Sequence, residues 1–282
     1  MRHIELHEQE ALSRMERLYI RMVRKSFEPG RLDTAIRWCQ RSVGARWIHF
    51  ANRHLLHVVG YERVPPLDPA KSYVLASNHR SFFDLYVTGA FLMRQGLHHR
   101  MVFPVRSNFF YDSPLGFLVN GSMSFFAMYP PLFRERSRQS LNLASLQEVV
   151  RLLQRGGTLT GVHPEGTRNQ GPDPYTLLPA QSGVGRIIHQ SRATVIPLFI
   201  NGLTNSIVRQ FSGNLLRTGS PVVLVFGEPL AMDDLLAQPG GTRVYKQVSE
   251  RLVTTITALG QEERAARARL GRESSPQWVH DH

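Results

Sequence analysis

The amino-acid sequence predicts an α/β protein: a mixed, largely parallel sheet covered by helices, preceded by an N-terminal amphipathic helical segment. Three observations point there. The chain has 282 residues, 42% hydrophobic and 20% charged, which is enough to bury a sizeable core and excludes disordered or collagen-like classes. From Arg63 onward, short apolar runs alternate with helical stripes, the pattern of a sheet covered on both faces. Residues 1–63 show helical spacing and no strand-like run. The expected organisation is a helical segment over 1–63, a main domain over 64–260 and a charged tail over 261–282.

In the first segment Met15, Leu18, Tyr19, Met22 and Val23 recur at helical spacing, and Arg14, Arg17, Arg21, Arg24 and Lys25 take the polar side and its edges. Glu28-Pro29-Gly30 breaks that helix, and a second pattern runs through Trp38, Trp47, Ile48, Phe50, Leu55, Leu56, Val58 and Val59. Two readings stand. Basic amphipathic helices with tryptophans lie in membrane interfaces; equally, a helical pair can pack on the main domain and leave a basic face in solvent. Strands are expected at 73–76, 101–105, 124–128, 158–162, 194–200 and 222–226. Helices are expected at 84–93, 143–153, 184–190 and 244–259, the second ended by Gly156-Gly157. From Gly260 the Arg-rich tail is expected to fray.

Charge and cysteine content narrow the function classes. Lys plus Arg number 34 against 22 Asp plus Glu, a net of +12, and only Lys25, Lys71 and Lys246 are lysines. Guanidinium groups pair well with phosphate, so a polyanion, an anionic membrane or a phosphorylated substrate fits. The single cysteine, Cys39, excludes an internal disulfide and a cysteine metal cage. No short basic start leads into an apolar run, so a cytoplasmic location is expected. The stretch 113–133 lacks Asp, Glu, Lys and Arg, yet Asn120, Gly121 and Pro130-Pro131 make it a poor spanning helix. His54 with His57, and His98 with His99, lack a clear third ligand, so no metal is expected.

Three segments carry chemistry. Asn78-His79-Arg80-Ser81-Phe82-Phe83-Asp84 follows a buried strand and precedes a helix, where α/β proteins place their sites. On one continuous helix His79 and Asp84 would point about 140° apart, so they meet only if His79 lies in the loop before it. There the aspartate would fix the imidazole tautomer and leave the other nitrogen to take a proton. The competing reading is a helix cap, with Ser81 capping and Asp84 completing a capping box. The second segment is Val162-His163-Pro164-Glu165-Gly166-Thr167-Arg168, in which Gly166 permits close backbone approach and Arg168 can fork onto a phosphate. The third is the strand Val195-Ile196-Pro197-Leu198-Phe199, where a proline suggests an edge, end or bulge.

In this order and spacing the three segments resemble the glycerolipid acyltransferase family, typified by 1-acyl-glycerol-3-phosphate acyltransferase. Asn78, His79 and Asp84 match its Asn-His-x4-Asp motif, Pro164 to Arg168 its Phe-Pro-Glu-Gly-Thr-Arg motif, and Pro197 its apolar strand with a proline. His163 stands where the family usually has Phe, and Arg106 where a lysine is common. An apparent insertion through Tyr129-Pro130-Pro131-Leu132-Phe133 leaves two candidates, Arg134 and Arg136, for the single arginine of the second motif.

The resemblance implies fatty acyl transfer from an acyl-CoA or acyl-carrier protein thioester to the free hydroxyl of a lysophospholipid, with no bound cofactor. It implies His79 as general base and Asp84 as its orienting partner. Arg168, Arg106 and one of Arg134 or Arg136 would hold the acceptor phosphate, and Asn78, Glu165, Gly166 and Thr167 would shape the acceptor pocket. The stretch 113–133 would line an acyl groove, dip into the bilayer, or form plain core. The expected partners are an anionic membrane surface, the lysophospholipid acceptor and the thioester donor. The expected location is the cytoplasmic face of the cell membrane, peripheral or monotopic. The alternatives are a relative with another acceptor (glycerol-3-phosphate or a lyso-aminolipid) and a basic nucleic-acid-binding or membrane-scaffold protein. No nucleic-acid signature accompanies the charge, so no nucleic-acid partner is expected.

Overall fold

The computed structural model describes residues 11–271. Seven strands form one sheet in the order β1-β7-β6-β2-β5-β3-β4. They are β1 Leu56–Val59, β2 Tyr73–Ser77, β3 Arg100–Arg106, β4 Met128–Leu132, β5 Thr158–Val162, β6 Thr194–Asn201 and β7 Val222–Phe226. Only the β6–β7 pair is antiparallel; every other neighbouring pair is parallel. The sheet is therefore mixed and largely parallel, as expected. Strands β2, β5 and β7 are buried throughout, which is why β2 and β7 read as nearly unbroken apolar runs rather than alternations, while β5 carries the buried Thr158 and Thr160.

Helices cover both faces. On one, α3 (Ala45–Asn52) and α4 (Asp84–Arg94) pack Ile48, Leu85 and Leu92 onto Leu75, Ile196 and Leu224. On the other, α7 (Leu141–Gln154), α8 (Ser182–Ser191) and α11 (Thr242–Arg269) pack Val149, Ile188, Leu252 and Ile256 onto Val74, Phe199 and Val223.

The N-terminal segment docks on the β3–β4 edge. Helix α1 (Arg14–Lys25) begins with a capping box between Ser13 and Glu16 and buries Ile20 and Val23 beside Tyr129 and Phe133. Arg138 Nη2 reaches Glu16 at 2.6 Å, and Arg24 lies 3.6 Å from Glu148, so two ion pairs tie α1 to the domain. Helix α2 (Arg31–Cys39) follows and runs through a π turn into α3. Among the described residues no helix is long and apolar enough to cross a membrane.

Four local expectations are corrected. Residues 56–59, expected to be helical, form edge strand β1, because pairing with β7 overrides the local pattern. The strand expected at 124–128 starts only at Met128: Phe125 and Phe126 take left-handed φ values of 49° and 57°, which no strand accommodates. They form the turn after α6 (Pro114–Met123), which follows a single turn, α5 (Ser107–Phe110). Helix α9 (Ile207–Leu216) and the short α10 (Asp233–Leu236) were not foreseen.

The tail does not fray at Gly260. Helix α11 continues to Arg269 because Glu263 and Arg267 are buried there together. Glu263 accepts from Tyr175 Oη at 2.7 Å and from Arg267 Nε at 2.7 Å. Arg267 also donates to the carbonyls of Pro221 and Asn201, at 2.9 and 3.1 Å. Residues 272–282 of the expected tail lie outside the described residues. Removing one partner of a buried pair strands the other, so Arg267→Ala is expected to cost about 3–5 kcal/mol. Urea unfolding of the variant checks this; a loss below about 1 kcal/mol, the range of a surface pair, would contradict it.

Candidate active site

The site lies at the carboxyl ends of four strands that are neighbours in the sheet, β2, β5, β3 and β4. The β2–α4 loop brings His79, the β5–α8 loop brings residues 163–168, β3 ends on Arg106, and Arg134 follows β4.

Asp84 is the first residue of α4, and its buried side chain reaches back over the loop. Its Oδ2 accepts from the backbone N–H groups of Arg80 and Ser81, both at 2.8 Å, and from His79 Nδ1 at 3.3 Å. One carboxylate thus closes the helix N-terminus and orients the imidazole. Helix α4 has no side-chain N-cap bond from Phe83, but the expected capping box is half formed: Ser81 N–H donates to Asp84, while the Ser81 hydroxyl accepts from Phe83 N–H at 3.2 Å rather than from Asp84 N–H, so Asp84 serves both the cap and the imidazole. With Nδ1 held as the donor to Asp84, the lone pair of His79 is on Nε2.

Glu165 holds the loop. Its Oε1 accepts from His79 N–H and its Oε2 from Leu178 N–H, both at 2.8 Å. Asn78 is likewise structural: it is buried and bonds both the N–H and the carbonyl of Ile200, at 2.8 and 2.9 Å, pinning the end of β2 to β6. Both residues hold the loops around His79 in place. Their side-chain hydrogen-bonding groups are committed to the backbone.

Gly166 sits at φ +68°, and a Cβ there would fall 2.7 Å from Gln181 Cγ, so the turn requires glycine. Thr167 Oγ1 accepts from Arg134 Nη2 at 2.9 Å, which brings Arg134 to the site. The guanidinium of Arg168 lies 4.4 Å from the centre of the Phe82 ring. Partial burial and then the charge of Arg106 lower the pKa of Arg134, which marks Arg106 as its neighbour. The side chain of Arg136 lies outside the described residues.

His163 was legible only as a departure from a motif. Its ring stacks on His79, with centroids 3.8 Å apart and planes 7° from parallel. Its Nδ1 faces the carbonyls of Asn78 and Ser77, at 2.9 and 3.1 Å, so it carries the proton and donates. Burial, then His79, lowers its pKa to about 3, so it stays neutral at ordinary pH. His79, Asp84 and His163 bring ligand-type atoms within 4.8 Å of one another, the only such group of three among the described residues. Imidazole lone pairs lie in the ring plane, so two parallel rings do not converge on an ion. The arrangement is an acid–base pair on an aromatic platform. Arg80 and Asn169, which sequence reasoning passed over, complete the frame: Arg80 Nη1 donates to the Gly171 carbonyl at 2.7 Å, and Asn169 N–H to the His79 carbonyl at 2.8 Å.

Electrostatics set the protonation state. Burial, then the charge on Arg168, lowers the His79 pKa to about 4. Burial raises Asp84 to about 6, against His163 and the Ser81 and Arg80 amides. At neutral pH the pair is therefore a neutral imidazole beside a carboxylate, which is a ready base.

A family model of acyltransferases matches residues 55–201, just over half of the chain. The chain belongs to the acyltransferase family. Its matched region holds the strands β2 to β5 and every residue of the site just described. The acyltransferase is also similar in fold to the 1-acyl-sn-glycerophosphate (LPA) acyltransferase PlsC from Thermotoga maritima, with a TM-score of 0.50 at 20% identity, over 86% of this chain and 89% of that one. No curated protein matches the chain.

His163→Phe keeps the stacked ring of this acyltransferase and deletes both ring nitrogens, the Nδ1 donor among them. Leaving the buried Asn78 carbonyl unpaired is expected to cost about 1–3 kcal/mol of stability. Turnover should stay within about tenfold, because no proton transfer runs through His163. His163→Ala removes the platform and is expected to lose more on both counts. Thermal unfolding and steady-state assays of the two variants check this; equal activity loss in both would show that His163 acts through its nitrogens.

Proposed function

We propose that this acyltransferase moves a fatty acyl group from an acyl-CoA or acyl-carrier protein thioester to the free hydroxyl of 1-acyl-glycerol-3-phosphate, at the cytoplasmic face of a membrane. The observation that carries the reading is a neutral, oriented His79 within the field of Arg168 and Arg134, with Arg106 beside Arg134. An alcohol attacks a thioester poorly until its proton is removed. His79 Nε2 takes that proton as the oxygen adds to the carbonyl carbon. The tetrahedral intermediate collapses, the C–S bond breaks, and the proton passes from the imidazolium to the leaving thiolate. Asp84 holds the ring and stabilises its charged form. No covalent enzyme intermediate is required. The arginines supply forked donors for a phosphate, and LPA, the acceptor in the PlsC name, carries one.

His79→Ala is expected to lower turnover by about 10²–10⁴-fold. Arg168→Ala is expected to raise KM for the phosphorylated acceptor by about 10–100-fold, the equivalent of a hydrogen bond to a charged group. Arg106→Lys should be mild, since the charge stays. One acyl-CoA offered with 1-acyl-glycerol-3-phosphate, glycerol-3-phosphate and a lyso-aminolipid, read by product mass, tests the acceptor. Transfer only to the other acceptors overturns the substrate, and full activity in His79→Ala overturns the mechanism.

The pH profile follows from the same groups. The active form needs His79 neutral and Asp84 ionised. His79 is lowered to about 4 and Asp84 raised to about 6, so both conditions hold above the higher value. We expect kcat/KM to be flat from neutral pH upward and to fall as pH drops through about 6, reported as a property of the pair. A rate that rose on acidification would contradict the base assignment.

A further inference from the structure

Helix α9 is amphipathic with its faces reversed. The side it turns to the protein carries Gln210, Gly213 and Asn214, all buried. The side it turns outward carries Ile207, Val208, Phe211, Leu215 and Leu216, which are between 41% and 77% exposed. A helix that faces water ordinarily does the opposite. Positions 207, 211 and 215 follow i, i+4, i+8 spacing with 208 beside them, an apolar stripe about 100° wide.

The orientation is fixed from within. Gln210 donates to Asn52 Oδ1 at 2.8 Å and accepts from Thr204 N–H at 3.1 Å. Asn214 donates to the Phe50 carbonyl at 2.8 Å and accepts from His54 N–H at 2.8 Å. A Cβ on Gly213 would meet Gly219 Cα at 3.0 Å, so only a glycine face fits there. Turning the helix over would strand these polar groups.

Three features say what covers the outer face. Phe50 of α3 extends it, exposed and with its ring 5.7 Å from that of Phe211. Exposed Arg46, Arg53, Arg209 and Arg217 border it, and no acidic residue occurs in α3, α9 or the segment joining β6 to α9. The patch is also bonded to the catalytic loop: Phe82 N–H donates to Asn205 Oδ1 at 3.1 Å, and Ser81 Oγ lies 3.4 Å from the Thr204 carbonyl. Phe82 is itself 63% exposed, three residues from His79 and under Arg168.

We propose that α9, with Phe50 and Phe82, is the surface on which the protein sits on an anionic phospholipid bilayer. The apolar stripe enters the headgroup–acyl boundary and the arginines meet lipid phosphates. This deepens the functional reading above and rests on it for one consequence: an acceptor in the same leaflet reaches His79 past Phe82. It also moves the expected contact away from α1, which buries Ile20 and Val23 in the core and exposes two large apolar residues, Leu18 and Met22, against five on α9.

Flotation of the full chain with vesicles of mixed phosphatidylcholine and phosphatidylglycerol tests it. Wild type should bind, and bind less to phosphatidylcholine alone. The double variant Val208→Glu/Leu215→Glu, with its fold checked by circular dichroism, should lose at least about tenfold in partitioning. The α1 control Leu18→Glu/Met22→Glu should bind within about twofold of wild type. Val208→Trp, which keeps an apolar side chain, should show added fluorescence quenching over wild type with brominated phosphatidylcholine. Unchanged binding in the glutamate variant, no added quenching, or no wild-type binding would overturn the proposal. So would a dimer in light scattering that the glutamate variant dissolves without affecting vesicle binding, since a second copy would then cover α9. Wild-type transfer to a short-chain, water-soluble acceptor is measured without vesicles. Its failure would count against the functional reading and leave the α9 result standing by itself.

Discussion

The site depends on one buried carboxylate that does no chemistry. Glu165 joins the β2–α4 loop to the segment before α8 by giving one oxygen to His79 N–H and the other to Leu178 N–H. Burial raises its pKa against those same two bonds. With Asn169 N–H on the His79 carbonyl, both backbone polar groups of the base are tied to the neighbouring loop. The imidazole then has few degrees of freedom left. Asp84 sets its tautomer from one side and the His163 ring sets its plane from below. A general base is useful only where the reacting proton will be, and here backbone bonds, a ring stack and a single carboxylate oxygen hold it in place.

The electrostatics of the site pull in two directions. Burial lowers the basicity of His79 most, and the charges of Arg168 and Arg134 lower it further. Asp84 favours the charged imidazole, but its own desolvation limits how far it can do so. On the proposed reading the resting site keeps its base unprotonated at the expense of proton affinity. An acceptor phosphate bound among the arginines would cancel their field at His79, so its basicity would rise only when a substrate is present. Charge placed for binding and charge placed for catalysis then act on the same nitrogen.

Much of this was legible in the sequence, for a physical reason. Strands buried on both faces are largely apolar, so β2, β6 and β7 announced themselves, and the turns that follow β2 and β5 held the chemistry. What was missed depended on contacts from far along the chain. Strand β1 pairs with β7 from a segment that reads as helical. The segment 124–128, with Phe125 and Phe126, looked like a strand, but two left-handed φ values make its start a turn. Gln40, inside the π turn, accepts from Met101 N–H at 3.0 Å, a contact no local pattern contains. The Arg-rich tail looked solvated, yet Arg267 is buried against the carbonyls of Asn201 and Pro221. Asn78 and Glu165 were recognised as important, but their bonds to Ile200, His79 and Leu178 were not legible, since a motif shows which residues matter and not what each one touches.

Helix α9 went unread for a different reason. A periodic pattern shows that a helix has two faces and leaves open which one turns inward. The usual inference, apolar side in, would have buried Ile207, Phe211 and Leu215 and exposed Gln210 and Asn214. The structure does the reverse, and the reversal is held by four side-chain bonds to the backbone or to Asn52. Buried polar groups are costly unless every one is satisfied, and here all four amide groups of Gln210 and Asn214 have partners. Five exposed apolar residues on one helix add nothing to a fold in water. They also border the loop that carries His79. A departure from the burial rule, with its inner face fully compensated, is therefore better explained by what lies outside the protein than by anything within it.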